Sequence, residues 1–245
     1  VLPMNKLSGA EKLALILCKN MKKYVPIVVC GGENLKLVFE AEGIKSYSVD
    51  FANNNILRIT NELKKIIKEN DVKIIHAHDN NASVSSYLTK VIYRLDTKVI
   101  SHIHNCYPWL EGNTKTKKVD TFFRKRYDHN IACGKLVYDY YTKNTDYINE
   151  SNTTTLSNAI DIDEIKTYAP TNIEEVYQEF NIPKDKIILG FIGRLSEQKN
   201  HIYLLNIMEK LSEIRKDVVL ICCGSGPDIN KIKQKISEKS LEKNV

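Results

Sequence analysis

The sequence predicts an α/β protein of two lobes, each a doubly wound parallel layer. Short runs rich in Val and Ile alternate with longer stretches of helical periodicity over the whole chain. Because strands and helices take turns, the strands should be parallel and joined by crossover helices, with ligands at the carboxyl ends of the strands. The same pattern restarts after Asn158-Ala159-Ile160-Asp161, which predicts a second lobe and a cleft between the two.

In the first half, residues 1–3 resemble the tail of a strand, and Ser8-Gly9-Ala10 opens a helix. Further strands are predicted at 25–30, 73–77, 98–103, 130–133 and 154–157, and helices at 11–21, 56–69 and 82–93. The second half predicts helices at 173–180, 202–214 and 228–239 and strands at 187–192 and 218–222. We expect domains at 1–163 and 164–245, the second incomplete with only two strong strands, and both ends of the chain look cut.

The composition suits a folded protein with an anionic ligand or an anionic surface as a partner. With 245 residues and 42% hydrophobic content the chain can bury a sizeable core, which excludes a disordered protein. Its 36 Lys and Arg outnumber 30 Asp and Glu without forming one basic block. The six cysteines show no CxxC spacing, which favours reduced thiols in the cytoplasm. No apolar run approaches the roughly 20 residues of a membrane span, although contact with a membrane surface stays open.

The strongest motif follows the predicted strand at 187–192. After Gly193, the cations Arg194 and Lys199 stand five positions apart before a predicted helix. An anion there would meet glycine backbone, a guanidinium fork, a point charge and a helix N-terminus, which together favour a diphosphate site. The alternative is a turn whose cations are merely solvated.

Two further glycine loops occupy comparable places. Gly224 and Gly226 follow the next strand and could let a nucleotide approach the backbone, or could only form a tight turn. Gly9 opens the first helix, where a phosphate could rest on backbone amides. Ser8 and Glu11 could equally form a capping box there, and the two interpretations are compatible.

Histidines end two of the predicted strands. His76 and His78 end one, and His102 and His104 end another, so each pair projects from one face at the ligand end of the sheet. Together with Asp79 they could form a metal site, although we favour His104 as a contact for a sugar hydroxyl or phosphate. His76 and His102 could instead be satisfied strand-end residues. The nearby aromatic loop with Tyr107 and Trp109 could stack on a sugar, or be ordinary packing.

Seven segments, taken in their order along the chain, resemble the retaining glycosyltransferases of family 4, which have the two-lobed GT-B fold. The matching segments are 8–11, 75–78, 103–104, 131–133, 156–161, 193–200 and 224–227. The resemblance implies that Arg194 and Lys199 hold the donor diphosphate, with Gly193, Gly224 and Gly226 in the same donor site. It also implies that Gly9 lies near that phosphate and that His104 is the catalytic histidine near the transferred sugar.

The resemblance implies a hexosyltransferase-type enzyme that transfers sugar from a nucleotide-diphosphate sugar to a glycan or lipid-linked acceptor, with retention. It implies no cofactor, no obligatory metal and no nucleic acid partner, a place in surface polysaccharide or lipopolysaccharide synthesis, and a location at the inner face of the membrane. The family's Pro-Ser segment and Glu-x7-Glu motif would lie beyond Val245, so this chain should lack full activity. Asn158-Ala159 and Ser8-Gly9 also depart from the usual Asn-Gly and Gly-Gly.

Three alternatives remain open. The first is a nucleotide-sugar epimerase of the same fold, and the second is a nucleotide-binding fragment without turnover. The third is a nucleic-acid-binding fragment, which would need a basic face with interleaved aromatic residues. The Lys-rich final helix carries interspersed acids and is typical of a solvated helix. The sequence contains no Gly-x-Ser-x-Gly elbow, no zinc-finger spacing and no Walker phosphate loop.

Overall fold

The computed structural model describes residues 1–53, 55–167 and 173–245. The chain divides into two compact units, Val1–Ile165 and Lys166–Val245. None of the helices in the described ranges is long and apolar enough to cross a membrane.

The first unit alternates strands and helices as the sequence predicts. Its strands are β1 (Val28–Cys30), β2 (Ser46–Ser48), β3 (Ile74–His78), β4 (Lys98–Ile103), β5 (His129–Ala132) and β6 (Thr153–Thr155). Its helices are α1 (Gly9–Asn20), α2 (Glu33–Ala41), α3 (Ile56–Glu69), α4 (Asp79–Ile92), α5 (Lys115–Arg124) and α6 (Lys135–Asn144). Helix α7 (Ile162–Thr167) includes the point at which the chain passes from the first unit to the second. A short 3-10 helix covers Pro108–Leu110.

All strand pairs in this unit are parallel. β1 pairs with β2, and β3, β4, β5 and β6 are neighbours in that order. The segment at residues 1–4 lies between the two sheets, because the amide of Leu2 donates to the carbonyl of Val29 at 2.8 Å and the amide of His78 donates to the carbonyl of Val1 at 3.0 Å. The predicted strand tail at residues 1–3 therefore takes part in the pairing.

The two faces of this sheet are covered by different helices. Val29 and Ile75 pack in one core cluster with α3, whereas Cys30 packs in another with α1 and α2. Because side chains alternate along a strand, His76 and His78 lie on the face that α1 covers. The fold thus places the histidine motif on the sheet face that the first helix of the chain covers.

The sequence did not predict α2, β2, α5 or α6, and it began the first strand too early. Val25 is 92% exposed and Pro26 has no amide hydrogen to pair, so β1 starts only at Val28. β2 has only three residues, Ser46–Ser48, and lacks an apolar run that would have marked it. The strand predicted at 154–157 starts one residue earlier, at Thr153, and ends two residues earlier, at Thr155.

The second unit contains α8 (Ile173–Glu179), β7 (Ile187–Ile192), α9 (His201–Ile214), β8 (Val218–Cys223) and α10 (Ile229–Glu238). β7 and β8 are parallel in the register Ile187 to Val218 through Ile192 to Cys223. Leu205 and Met208 of α9 and Ile232 of α10 pack with β8 in one core. The helices and strands predicted for this half are confirmed to within one or two residues.

Candidate functional site

Four imidazoles meet at the carboxyl ends of β3 and β4. The parallel register sets His78 beside His102. His76 Nε2 lies 3.1 Å from His102 Nδ1, and His78 Nδ1 lies 2.9 Å from His104 Nε2. We call these four residues the histidine cluster, and its members confirm that both His-x-His pairs project from the same face.

Two members of the histidine cluster, His78 and His102, are buried and the other two are half-buried, so all four should be uncharged at neutral pH. Burial lowers the pKa of His76 to about 4 and that of His102 to about 3. Burial also lowers the pKa of His78 well below its ordinary value. Burial lowers the pKa of His104 as well, although the negative charges of Asp79 and Glu11 raise it. Neutral imidazoles can donate or accept hydrogen bonds, but they bring no positive charge to an anion.

The position of His102 corrects one sequence expectation. Its Nε2 atom is buried and has no hydrogen-bond partner, so this strand-end histidine is not fully satisfied. An unsatisfied buried nitrogen costs about 1–3 kcal/mol. His102 Nε2 is therefore a buried hydrogen-bonding atom that the fold of the described residues leaves without a partner.

Three members of the cluster have the arrangement that a metal ion could use. One nitrogen each of His76, His78 and His102 lies within 4.8 Å of the others, and neutral imidazole is a common ligand of Zn²⁺. Among the described residues, Asp79 is not part of this group. Its Oδ1 atom accepts a hydrogen bond from the Tyr107 hydroxyl at 3.0 Å. The absence of a metal requirement stays a prediction.

The start of α1 combines a cap with an open glycine. The backbone amide of Ser8 donates to the carboxylate of Glu11 at 3.2 Å, and the Ser8 hydroxyl donates to the same carboxylate. The capping box is therefore confirmed. A Cβ atom added at Gly9 would meet no atom within 4 Å, so the fold itself does not require glycine at this position.

Asp79 holds a strained backbone where β3 passes into α4. Its φ of 67° is in the left-handed region, which is uncommon for residues other than glycine and tends to occur at functional sites. The hydroxyl of Tyr107 donates to Asp79, and the ring of Tyr107 stacks on that of Trp109 with the centroids 5.2 Å apart. Mutual stacking and this hydrogen bond account for the aromatic loop without a bound sugar.

A buried ion pair supports the opposite face of the same sheet. Arg124 and Asp120 of α5 are both buried and 2.7 Å apart. The Arg124 guanidinium also donates to Asn80 at 2.6 Å, to Ser101 at 3.1 Å and to Asn130 at 3.3 Å. It thereby ties α5 to β4, β5 and the residue after Asp79. The i, i+4 spacing of Asp120 and Arg124 was the sequence signal for this pair, which the sequence analysis missed.

In the second unit the two glycine loops run side by side. The amide of Gly193 donates to the carbonyl of Cys223 at 3.0 Å, and the amide of Leu195 donates to that of Ser225 at 2.9 Å. A Cβ atom at Gly224 would lie 1.9 Å from the Gly193 oxygen, and one at Gly226 would lie 2.1 Å from the Leu195 oxygen. Close loop packing alone therefore explains why glycine occupies 224 and 226.

Both cations of the strongest motif are exposed on the loop between β7 and α9. Arg194 follows Gly193 directly, and Lys199 ends a short 3-10 helix, Glu197–Lys199. Within the described part of the chain, neither side chain forms an ion pair. Asn200, with φ of 50°, then caps α9 by accepting a hydrogen bond from the Tyr203 amide at 3.3 Å. The structure thus places the cations between a strand end and a helix N-terminus, as the sequence predicts.

The chain matches two family models. The model described as Glycosyltransferase Family 4 matches residues 7–164, and the model described as Glycosyl transferases group 1 matches residues 172–245. An uncharacterized glycosyltransferase of Methanocaldococcus jannaschii is 26% identical over 207 residues, which cover 78% of this chain and 48% of that protein. The GPI3 subunit of the phosphatidylinositol N-acetylglucosaminyltransferase of Saccharomyces cerevisiae is 24% identical over 187 residues, which cover 75% of this chain and 40% of that protein.

Among solved structures, HepE of Anabaena in complex with UDP superimposes with a TM-score of 0.77 at 18% identity. The match covers 100% of this chain and 67% of that one. This likeness confirms the predicted fold class. The chain spans 48% of the Methanocaldococcus jannaschii protein and 40% of the yeast protein.

Proposed function

Since the chain belongs to glycosyltransferase family 4 and has the GT-B fold class, we propose that it contributes the donor-diphosphate contacts of an enzyme that uses a nucleotide-diphosphate sugar. The reaction is transfer of a hexose to an acceptor hydroxyl with retention at the anomeric carbon. In this proposal no cofactor and no obligatory metal take part. The protein's own residues and backbone dipoles stabilise the leaving diphosphate.

The observation that carries the proposal is the loop from Gly193 to Asn200. Arg194 and Lys199 are exposed cations without ion-pair partners in the described chain, at a strand end and before the N-terminus of α9. Negative charge develops on the diphosphate as the sugar leaves. Fixed cations and helix dipoles lower the energy of that charge without reorganising.

Gly9 and His104 have different parts in the proposal. The open backbone at Gly9 leaves room for a phosphate beside the first amides of α1. His104 is neutral because burial lowers its pKa, so it serves as a hydrogen-bond partner of the transferred sugar rather than as a cation. Glu11 and the capping box hold the start of α1 in place.

We also propose a glycan or lipid-linked acceptor and a role in surface polysaccharide or lipopolysaccharide synthesis. The name of the yeast relative gives phosphatidylinositol as the molecule on which that enzyme acts, which supports a lipid-linked acceptor. The cytoplasmic inner face of a membrane is the location where such an acceptor would be met.

Calorimetric titration of UDP and GDP into the chain tests the donor site. Arg194→Ala and Lys199→Ala should each weaken binding about tenfold or more, because a hydrogen bond to a charged group contributes about 1.5–3 kcal/mol. Lys210→Ala is the matched control, since Lys210 is an exposed cation of α9 away from its N-terminus. Arg194→Lys separates bidentate recognition from charge alone.

Binding that survives both alanine variants, or that the Lys210 control weakens equally, would show that the diphosphate is not held by this loop. The epimerase alternative is separated by incubating the protein with a UDP-sugar in the presence and absence of a candidate acceptor. An epimerase yields an isomeric UDP-sugar without an acceptor, whereas a transferase releases UDP only as sugar appears on the acceptor.

A further inference from the structure

The histidine cluster brings the side chains of two neighbouring strands together in one place. His76 and His78 lie on β3, and His102 lies on β4 with His104 directly after its end. One nitrogen each of His76, His78 and His102 lies within 4.8 Å of the others. In the described part of the chain, no other group of three or more His, Cys, Asp or Glu residues converges in this way.

The four rings form two side-by-side pairs that stack on each other. The rings of His76 and His102 are nearly parallel, at 11°, and a nitrogen of one lies 3.1 Å from a nitrogen of the other. The rings of His78 and His104 are likewise nearly parallel, at 10°, with facing nitrogens 2.9 Å apart. The centroids are 4.5 Å apart between His76 and His78 and 4.2 Å apart between His102 and His104. The facing nitrogens of the two pairs therefore surround one small space.

The separations between these nitrogens are close to those of a tetrahedral zinc site. A Zn–N bond is about 2.0–2.1 Å long, so two imidazole nitrogens on one tetrahedral Zn²⁺ are about 3.4 Å apart. The 3.1 Å between His76 Nε2 and His102 Nδ1 differs from this value by only about 0.3 Å. Because the group of three spans at most 4.8 Å, none of its separations is more than about 1.4 Å too long. Small side-chain rotations are therefore enough to bring three ligands onto one ion.

The rings can supply the lone pairs that an ion needs. In each close pair one nitrogen donates its hydrogen to the lone pair of the other. His102 Nε2 has no hydrogen-bond partner among the described residues, so no contact there fixes which nitrogen of His102 carries the hydrogen. When the hydrogen is on Nε2, His102 Nδ1 can bind an ion together with His76 Nε2. The ion then takes the place of the hydrogen between the two rings, and each neutral ring keeps one hydrogen on its other nitrogen.

The charges and the ligand type favour an ion of the zinc class. The negative charges of Asp79 and Glu11 favour positive charge at His104, beside the three converging rings. Neutral imidazole suits Zn²⁺, Co²⁺, Ni²⁺ and Cu²⁺, whereas Mg²⁺ and Ca²⁺ prefer oxygen ligands.

We propose that His76, His78 and His102 form a binding site for Zn²⁺. Three protein ligands leave the fourth position of a tetrahedral ion to water or to His104, whose Nε2 already faces His78. The inference goes beyond the proposed function, because the transfer reaction proposed above uses no metal.

Titration of the reduced, chelator-treated chain with Co²⁺ tests the site. Tetrahedral Co²⁺ absorbs visible light, and thiolate ligands add a separate charge-transfer band, which matters because the chain has six free cysteines. We expect one Co²⁺ per chain without the thiolate band, displaced by Zn²⁺ but not by Mg²⁺. Zn²⁺ should also raise the melting temperature, because an ion that binds only the folded chain stabilises it.

Two ligand variants and one control assign the absorption to the cluster. His102→Asn and His76→Asn should each weaken Co²⁺ binding about 100-fold or more, since loss of a ligand should exceed the 10- to 100-fold effect of losing a ligand's hydrogen-bond partner. His76 is only half-buried, so its variant should fold even where that of the buried His102 does not, and thermal unfolding without metal checks both. His129→Gln is the matched control and should leave binding unchanged, because His129 lies on β5 outside the cluster.

The absence of a Co²⁺ band in the wild-type chain, or a thiolate band in its place, would overturn the proposal. So would unchanged affinity in a folded His76→Asn variant, or an equal loss in the control. The four rings would then be hydrogen-bonded neighbours without a metal. UDP titration of the metal-free chain tests the donor loop separately, so failure of one proposal is distinguishable from failure of the other.

Discussion

Acid should destabilise the first unit because it forces protons onto the histidine cluster. In the folded chain the pKa of His76 is about 4 and that of His102 about 3, since burial disfavours the charged imidazole. In the unfolded chain both should be near 6.5. Between these limits the unfolded state binds more protons, so the free energy of unfolding falls as the pH falls below about 6.5.

The size of the effect follows from the two pKa values. At about pH 5.5, protonation of one unfolded histidine with a pKa near 6.5 favours unfolding by about 1.4 kcal/mol, against about 0.1 kcal/mol at about pH 7.5. His76 and His102 together should therefore remove about 2.7 kcal/mol over this interval. The pKa values of His78 and His104 are lowered in the same direction and add to the loss.

Urea unfolding at the two pH values measures this loss. His102→Asn should reduce the loss by about 1.3 kcal/mol, and any constant destabilisation by the substitution cancels in the difference between the two pH values. His129→Gln is the control, because His129 lies on β5 outside the cluster and bonds Thr154. A wild-type loss below about 1 kcal/mol, or an unchanged loss in His102→Asn, would refute the argument that burial keeps these imidazoles neutral in the folded state.

Three substitutions test the other contacts. Gly9→Ala should raise the free energy of unfolding by about 0.4–1 kcal/mol while weakening UDP binding in calorimetry, and equal binding would remove Gly9 from the donor site. Gly226→Ala should lower the stability of the second unit by about 1–3 kcal/mol in thermal unfolding, because its Cβ would meet the Leu195 oxygen; an unchanged melting temperature would contradict this. Arg124→Met should cost about 3–5 kcal/mol by leaving Asp120 buried and unpaired, and adding Asp120→Leu should recover much of it in urea unfolding.

Most of the strands that the sequence predicted bury their apolar side chains. β3, β4 and β8 each bury alternate residues of an apolar run, so their pattern and their environment agree. β7 was predicted from the same kind of run, although most of its side chains are exposed. Helix α5 was missed because its pattern is inverted. Asp120 and Arg124 are buried as a pair, while Val119 and Phe122 are exposed. A rule that buries apolar residues cannot find such a helix.

The part of the candidate site that the sequence predicts is the part that depends on residue spacing along a single strand. A His-x-His pair must project from one face, and the predicted alternation of strands made β3 and β4 neighbours. The hydrogen bond from Tyr107 to Asp79 joins residues 28 positions apart. The orphan nitrogen of His102 depends on local packing. No periodicity encodes such contacts, because they are set by loop conformation and by the exact placement of α1 and α4.

The glycines show most clearly where sequence reasoning stops. Gly9, Gly224 and Gly226 looked alike in the sequence, each in a loop before a helix where a phosphate could approach. The structure separates them, because Gly224 and Gly226 have no room for a Cβ atom whereas Gly9 has ample room. A glycine that packing demands carries no independent information about a ligand. Calorimetry on Gly9→Ala therefore tests ligand approach without disturbing the fold, which a substitution at Gly224 or Gly226 cannot do.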